Sequence, residues 1–108
     1  MSGVSNIAAE VLAVGQLPLV KGVIYLAKSD AFVRTIKLVN VNAPTTINLY
    51  VNKTGIGTSR RIIPRDMDFG ARFMTQTDWP FSLQLGDTLE GDSTVPGVDF
   101  TVLGELVP

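Results

Sequence analysis

The chain has 108 residues, 45% of them apolar and 18% charged, with a net charge of −1 and neither cysteine nor histidine. That size holds one domain, residues 1–108, with a modest core, and the composition belongs to a folded chain. Disulfides, thiolate zinc sites, cysteine nucleophiles and imidazole acid–base chemistry are excluded, and a pI near 5.2 argues against a basic nucleic-acid binder.

Helical periodicity is confined to the start, where Ile7, Val11 and Val14 share a spacing that Gly15 weakens. Residues 1–15 are better read as a first strand or an extended N-terminal arm, running into a turn marked by Pro18. "VKGVIYLA" (20–27) is rich in branched and aromatic residues and precedes the turn "KSDA". "FVRTIKLVNV" (32–41) is the next strand, closed by Asn42 and Pro44. In "INLYVN" (47–52), Ile47, Leu49 and Val51 share one face, and Asn48, Tyr50 and Asn52 the other. "KTGIGT" is a glycine-containing hairpin connection, and "SRRII" (59–63) ends at Pro64, which cannot donate to a central ladder.

The second half repeats the pattern. "GARFMTQ" (70–76) is a predicted strand, and "TDWP" interrupts it. "FSLQL" (81–85) is expected to point Phe81, Leu83 and Leu85 inward. After Gly86 and Asp87 turn the chain, "TLEGDS" (88–93) puts Thr88, Glu90 and Asp92 outward. "VDFTVLGEL" (98–106) sends Val98, Phe100 and Val102 to the core. About eight short strands at a spacing of ~8–12 residues, with no room for crossover helices, predict an all-β fold: a single antiparallel sandwich, jelly-roll or immunoglobulin-like.

Chemistry-bearing motifs are sparse. Asp66 and Asp68 form a D-x-D, but nothing nearby in sequence would desolvate one of them for acid catalysis. "DTLEGDS" lacks the oxygen density of a calcium loop; Asp87 is expected to cap backbone N–H groups in its hairpin instead. Serine nucleophiles lack a histidine base and no Ser-x-x-Lys occurs, and "GIG" opens no helix that would cradle phosphate. No catalytic, cofactor-binding or metal residue is therefore assigned, and no cofactor is expected.

Aromatic side chains offer a different chemistry. Tyr50 and Trp79 are candidate ligand-facing aromatics for a sugar platform; Tyr50 is the better of the two, because Trp79 with Phe81 reads more readily as the start of an inward-facing core strand. Charge is polarised: all nine Lys and Arg lie in residues 1–72 with four acids, whereas residues 73–108 hold six acids and no base. That asymmetry either pairs strands within the chain or joins one subunit to the next.

"TSRRIIPRD" (58–66) concentrates the positive charge. In a regular strand Arg60 and Ile62 share one face and Arg61 and Ile63 the other, so both faces are mixed. At least one arginine is then expected to hold an acidic partner, either Asp66 or a residue of the acidic last third, in this chain or its neighbour. Arg60, Arg61, Arg65 and Asp66 are the candidate interface residues.

The string "IKLVNVN…TTINLYVNKTG…TSRRIIPRD…SLQLGDTLEGDS…VDFTVLGEL" resembles a family of small tailed-bacteriophage virion proteins. The matching elements are Leu38 to Asn40, Leu49 to Asn52, Arg60 to Asp66, Leu85 to Gly91 and Val98 to Gly104, in the family's order. Residues 1–30 match less well, and the last strand reads "LGEL" where the family tends to close on "SG" or "TG". The resemblance implies a non-enzymatic β-sandwich that decorates or cements a capsid, or sits on the tail, and it carries over no active site. The implied partners are a major capsid protein or another virion protein, and further copies of the chain itself. No nucleic-acid partner is expected. No apolar run approaches the ~20 residues of a membrane span, and no secretory pattern is visible at the start, so the expected route is host cytoplasm to virion. A tail- or fibre-associated carbohydrate-binding module is the alternative.

Overall fold

The structure, a computed structural model, describes residues 10–78 and 80–107. Alternation of apolar and polar residues is its organising signal. β10 (Val98–Leu106) buries Val98, Phe100, Val102 and Gly104 and leaves the residues between them half-exposed. β9 (Thr88–Ser93) buries Leu89, Gly91 and Ser93 in the same way. β4 (Thr45–Asn52) points Ile47 and Leu49 inward.

These strands join β1 (Glu10–Gln16), β2 (Gly22–Leu26), β3 (Ala31–Asn40), β5 (Ser59–Arg61), β6 (Met67–Phe69), β7 (Met74–Thr77) and β8 (Phe81–Leu83) in two antiparallel sheets. One sheet runs β1-β10-β3-β7, with β8 also on β3; the other runs β2-β9-β4-β5, with β6 also on β4. Each pairing of the first sheet has a counterpart in the second: β1·β10 with β2·β9, β10·β3 with β9·β4, and β3·β7/β8 with β4·β5/β6. A ribbon of strand pairs wrapped in this way is jelly-roll connectivity. The ten segments fill eight positions, because two outer strands are each broken in two.

One cluster of buried side chains joins the sheets, with Ile36, Leu38 and Val102 from one and Ile47, Leu49 and Leu89 from the other fully enclosed. Each contributes ~1.5–3 kcal/mol through lost water contact. The alternation breaks once inside β3. Gly104 pairs with Val33 and Leu103 with Thr35, leaving Arg34 as the extra residue of a bulge. The bulge shifts the inward set from Ala31 and Val33 to Ile36, Leu38 and Asn40, and turns Arg34 outward to Glu105. It also fixes residue 104 as glycine, since a Cβ there would lie 2.0 Å from the Phe32 carbonyl oxygen.

Each end of the sandwich is closed around a buried polar residue that gathers several backbone partners. Asp87, 0% exposed, accepts from the backbone N–H groups of Thr54 (2.7 Å) and Gln84 (2.8 Å) and pairs with the Lys53 ammonium (2.6 Å). Its backbone carbonyl accepts from Ala27 N–H, so three loops meet there. At the opposite end Asn40, 1% exposed, donates to the carbonyls of Ala43, Phe69 and Gly70 and accepts from Asn42 N–H.

Several expectations change. Residues 70–73 are not strand: Arg72 sits at φ 59, and β7 begins only at Met74. β6, which carries Asp68, had no strand signal in the sequence, and it exists because Thr45 to Ile47 offer it a free edge. Leu85 points outward at 63% exposure, because β8 stops at Leu83 and the chain is already turning toward Asp87. Within residues 1–15, β1 forms from Glu10 onward; the rest of that predicted arm or strand, and Trp79, lie outside the described residues.

Candidate interaction site

β5 is the outer strand of its sheet, pairing with β4 through Tyr50↔Arg61, Val51↔Arg60 and Asn52↔Ser59. Regular strand geometry ends at Arg61. Ile62 N–H still bonds Leu49 O at 2.9 Å, and then the chain turns so that Ile63 is buried and Ile62 packs against the core. Both isoleucines thus reach the interior while Arg60 and Arg61 stay exposed, which removes the mixed-face conflict.

The described residues of this chain supply no direct acidic partner. Among the described residues, no carboxylate lies within ion-pair distance of Arg60, Arg61 or Arg65; the described ion pairs are Lys21–Glu90, Arg34–Glu105 and Lys53–Asp87. Each of those three joins the basic part of the chain to the acidic last third, so much of the charge asymmetry is consumed within the fold. Arg61 binds a neutral amide instead: its Nη1 donates to Asn48 Oδ1 at 2.6 Å.

Asn48 is the centre of this face. It is 5% exposed although it projects from the outer side of β4. Its Oδ1 also accepts from Asp66 N–H at 2.9 Å, and its Nδ2 donates to Asp66 Oδ1 (3.0 Å) and Asp92 Oδ1 (2.8 Å). All four hydrogen-bonding positions of the amide are filled, which is what burial of an asparagine requires. Asp66 reaches it by adopting φ 48, a left-handed conformation that asparagine and aspartate tolerate better than most residues. The arginine and two aspartates therefore meet through a shared amide rather than by direct contact.

Tyr50 lies beside this cluster, half-buried. Lys21 Nζ is 4.3 Å and Arg61 Cζ 4.9 Å from its ring centroid, which is cation–π range, and its hydroxyl is 3.5 Å from Asp92 Oδ2. Lys21, Glu90 and Ser59 continue the polar surface through the Lys21–Glu90 pair and the Ser59 hydroxyl on Glu90. The described residues gather no group of three carboxylates that would hold a metal ion.

Beside β5 the sandwich opens. The mouth between β4–β5 and β8 is a groove of about 580 Å³ lined by Val51, Lys53, Arg61, Ile62, Phe81 and Ser82. A second groove of about 480 Å³ opens at the opposite flank, where Val11, Leu12, Tyr25, Leu26 and Leu106 line it together with Glu10 and Lys28. There, burial and then the Glu10 carboxylate push the Tyr25 phenol above its ordinary pKa.

Of the candidates read from the sequence, Tyr50, Arg61 and Asp66 come together around Asn48. Arg60 and Arg65 are exposed nearby in the chain without an ion-pair partner among the described residues. Asn48 itself was passed over. Its signal was present, since an asparagine midway along an alternating strand is disfavoured unless something specific holds it. No protein-family model matches the chain, and no curated protein or solved structure does either.

Proposed function

We propose that this is a non-enzymatic structural protein of a tailed-phage virion, of the capsid-decoration or cement type, which stiffens a shell through protein–protein contacts. The observation that carries the reading is the β5 edge, unpaired among the described residues: Arg60 and Arg61 are exposed on it and Arg65 just beyond it, none ion-paired to a carboxylate among the described residues, beside a groove with apolar walls. Interfaces favour arginine because it combines a planar set of donors with weak hydration. The resemblance in "LVN", "LYVN", "RRIIPRD" and "LGDTLEG" points to the virion class, with a major capsid protein and further copies of this chain as partners. The carboxylates nearest the site, Asp66 and Asp92, are both occupied by the Asn48 amide, which favours a positioning role over turnover.

The test is sedimentation of the purified protein with particles assembled without it, alongside its mass in solution. Binding to the shell, with self-association, is expected. A monomer that binds no virion component would end the reading.

One observation favours the alternative of a tail- or fibre-associated carbohydrate-binding module: Tyr50 stands beside Asn48, Asp66 and Asp92, an aromatic face next to planar polar groups. That reading expects hits on a glycan array that Tyr50→Ala abolishes; an array without hits removes it.

A further inference from the structure

We propose that the groove between β5 and β8 receives an extended segment of a partner protein in which acidic and apolar residues alternate. This rests on the interface reading above and names the chemistry of what it binds. The groove is bordered by two strand edges that are free among the described residues, where β5 pairs only with β4 and β8 only with β3. Backbone pairing with such an edge is a general mode of peptide recognition. Pro64 after β5 and Pro80 before β8 keep each edge short, which limits indiscriminate pairing.

The lining selects the side chains. Val51, Ile62 and Phe81 supply an apolar wall, and no carboxylate is part of the lining among the described residues. Lys53 is already neutralised by Asp87 and also donates to Ser82 O at 3.2 Å, so it is a wall rather than a free charge. Arg61 is different. One of its five guanidinium N–H groups is engaged by Asn48, which anchors the side chain and leaves the others for a carboxylate. Arg60 is exposed next to it on the same edge. Asp66 and Asp68 are the nearest acids in sequence; Asp66 is turned into Asn48, and Asp68 lies on β6, opposite Thr46. A segment carrying an apolar side chain into the groove and carboxylates onto both Arg61 and Arg60 matches this arrangement. A purely apolar segment would leave the arginines unanswered, and a phosphate backbone would leave the apolar wall unused.

The experiment titrates a fluorescein-labelled peptide of about nine residues, alternating glutamate with leucine or phenylalanine, into the full chain. Binding is followed by anisotropy and by amide chemical shifts. Saturable binding that weakens with salt, with shifts at Val51, Ile62 and Phe81, is expected. Arg61→Gln and, separately, Arg60→Gln should each weaken it by about tenfold, the scale of one charge-assisted contact. Arg60 has no ion-pair partner among the described residues, so its loss leaves the fold untouched and keeps the test clean. Equal binding of the glutamine-for-glutamate peptide, shifts that map elsewhere, or tighter binding of a single-stranded oligonucleotide would each overturn the proposal. Particle sedimentation separates this from the broader reading. If wild type binds shells and Phe81→Ser with Arg60→Gln binds them equally well, the groove is wrong and the decoration role stands. If wild type binds no shell, the role fails, and the peptide titration alone decides the groove.

Discussion

The two ends of the sandwich solve one problem with opposite chemistry. At one end the loops after β4 and β8 present backbone N–H groups and an ammonium, and a carboxylate, Asp87, accepts from them. At the other, the loops after β3 and β6 present mainly carbonyl oxygens, and an amide, Asn40, donates to them. The residue type follows the inventory of unpaired backbone groups: orphan donors call for an acceptor, and orphan acceptors for a donor. The difference also makes only one end sensitive to acid. Burial by itself would raise the Asp87 pKa, but Lys53 and the backbone N–H groups of Thr54 and Gln84 outweigh it and hold the carboxyl well below the usual range.

Breaking the charged end should have the largest effect. Asp87→Ala leaves two buried N–H groups without an acceptor, and a loss of about 3–5 kcal/mol is expected in urea unfolding. Lys53, partly exposed, can return to water, which places the value toward the low end. Asn40→Asp exchanges the logic at the neutral end by facing a carboxylate with three carbonyls, and about 2–3 kcal/mol should be lost at pH 7.

The pH profiles of the two ends should then run in opposite directions. In the wild type, the Asp87 contribution is complete above the unfolded-state pKa of ~3.9 and is lost as pH falls toward the depressed folded-state value. Asp87→Asn should flatten that acid limb of the stability curve. In Asn40→Asp the introduced carboxyl is raised in the folded state, so protonation restores a donor and stability relative to wild type should rise as pH falls. Urea midpoints measured between about pH 3 and 7 report both slopes. Parallel profiles would dispose of the comparison.

Smaller effects are expected at the outer face, which follows the same rule with both donors and acceptors present. Asn48→Ala should cost about 1–2 kcal/mol, because Arg61, Asp66 and Asp92 are close enough to the surface to find water. Arg61→Gln should change unfolding by less than about 0.5 kcal/mol while weakening partner binding, which separates the role of that edge from the fold.

Much of the fold was legible because period-two patterning is local. "VDFTVLGEL" and "TLEGDS" declare their inward residues without reference to the rest of the chain, and the buried sets of β10 and β9 follow them; in "INLYVN" Ile47 and Leu49 do so, whereas Asn48 is buried on the outward face. Asp87 was legible in part: the glycine turn before it foretold the capping of Gln84 N–H, but the Thr54 N–H and Lys53 come from another loop. The reading of "SRRII" as a regular strand failed because the chain leaves strand geometry after Arg61, a decision made by the core space waiting for Ile63.

The sequence by itself determined the class of fold, the inward faces of the long strands and the lack of cysteine and histidine chemistry, since composition and alternation need no knowledge of distant partners. Tertiary structure alone decided that Arg61 would meet an amide rather than an acid. It also decided that Asp66 and Asp92 would share that amide, and that Arg34 would be the bulged residue of β3. The Asn48 contacts span 13 to 44 residues of sequence, and which side chains meet across such separations is set by how the two sheets wrap, not by any local pattern.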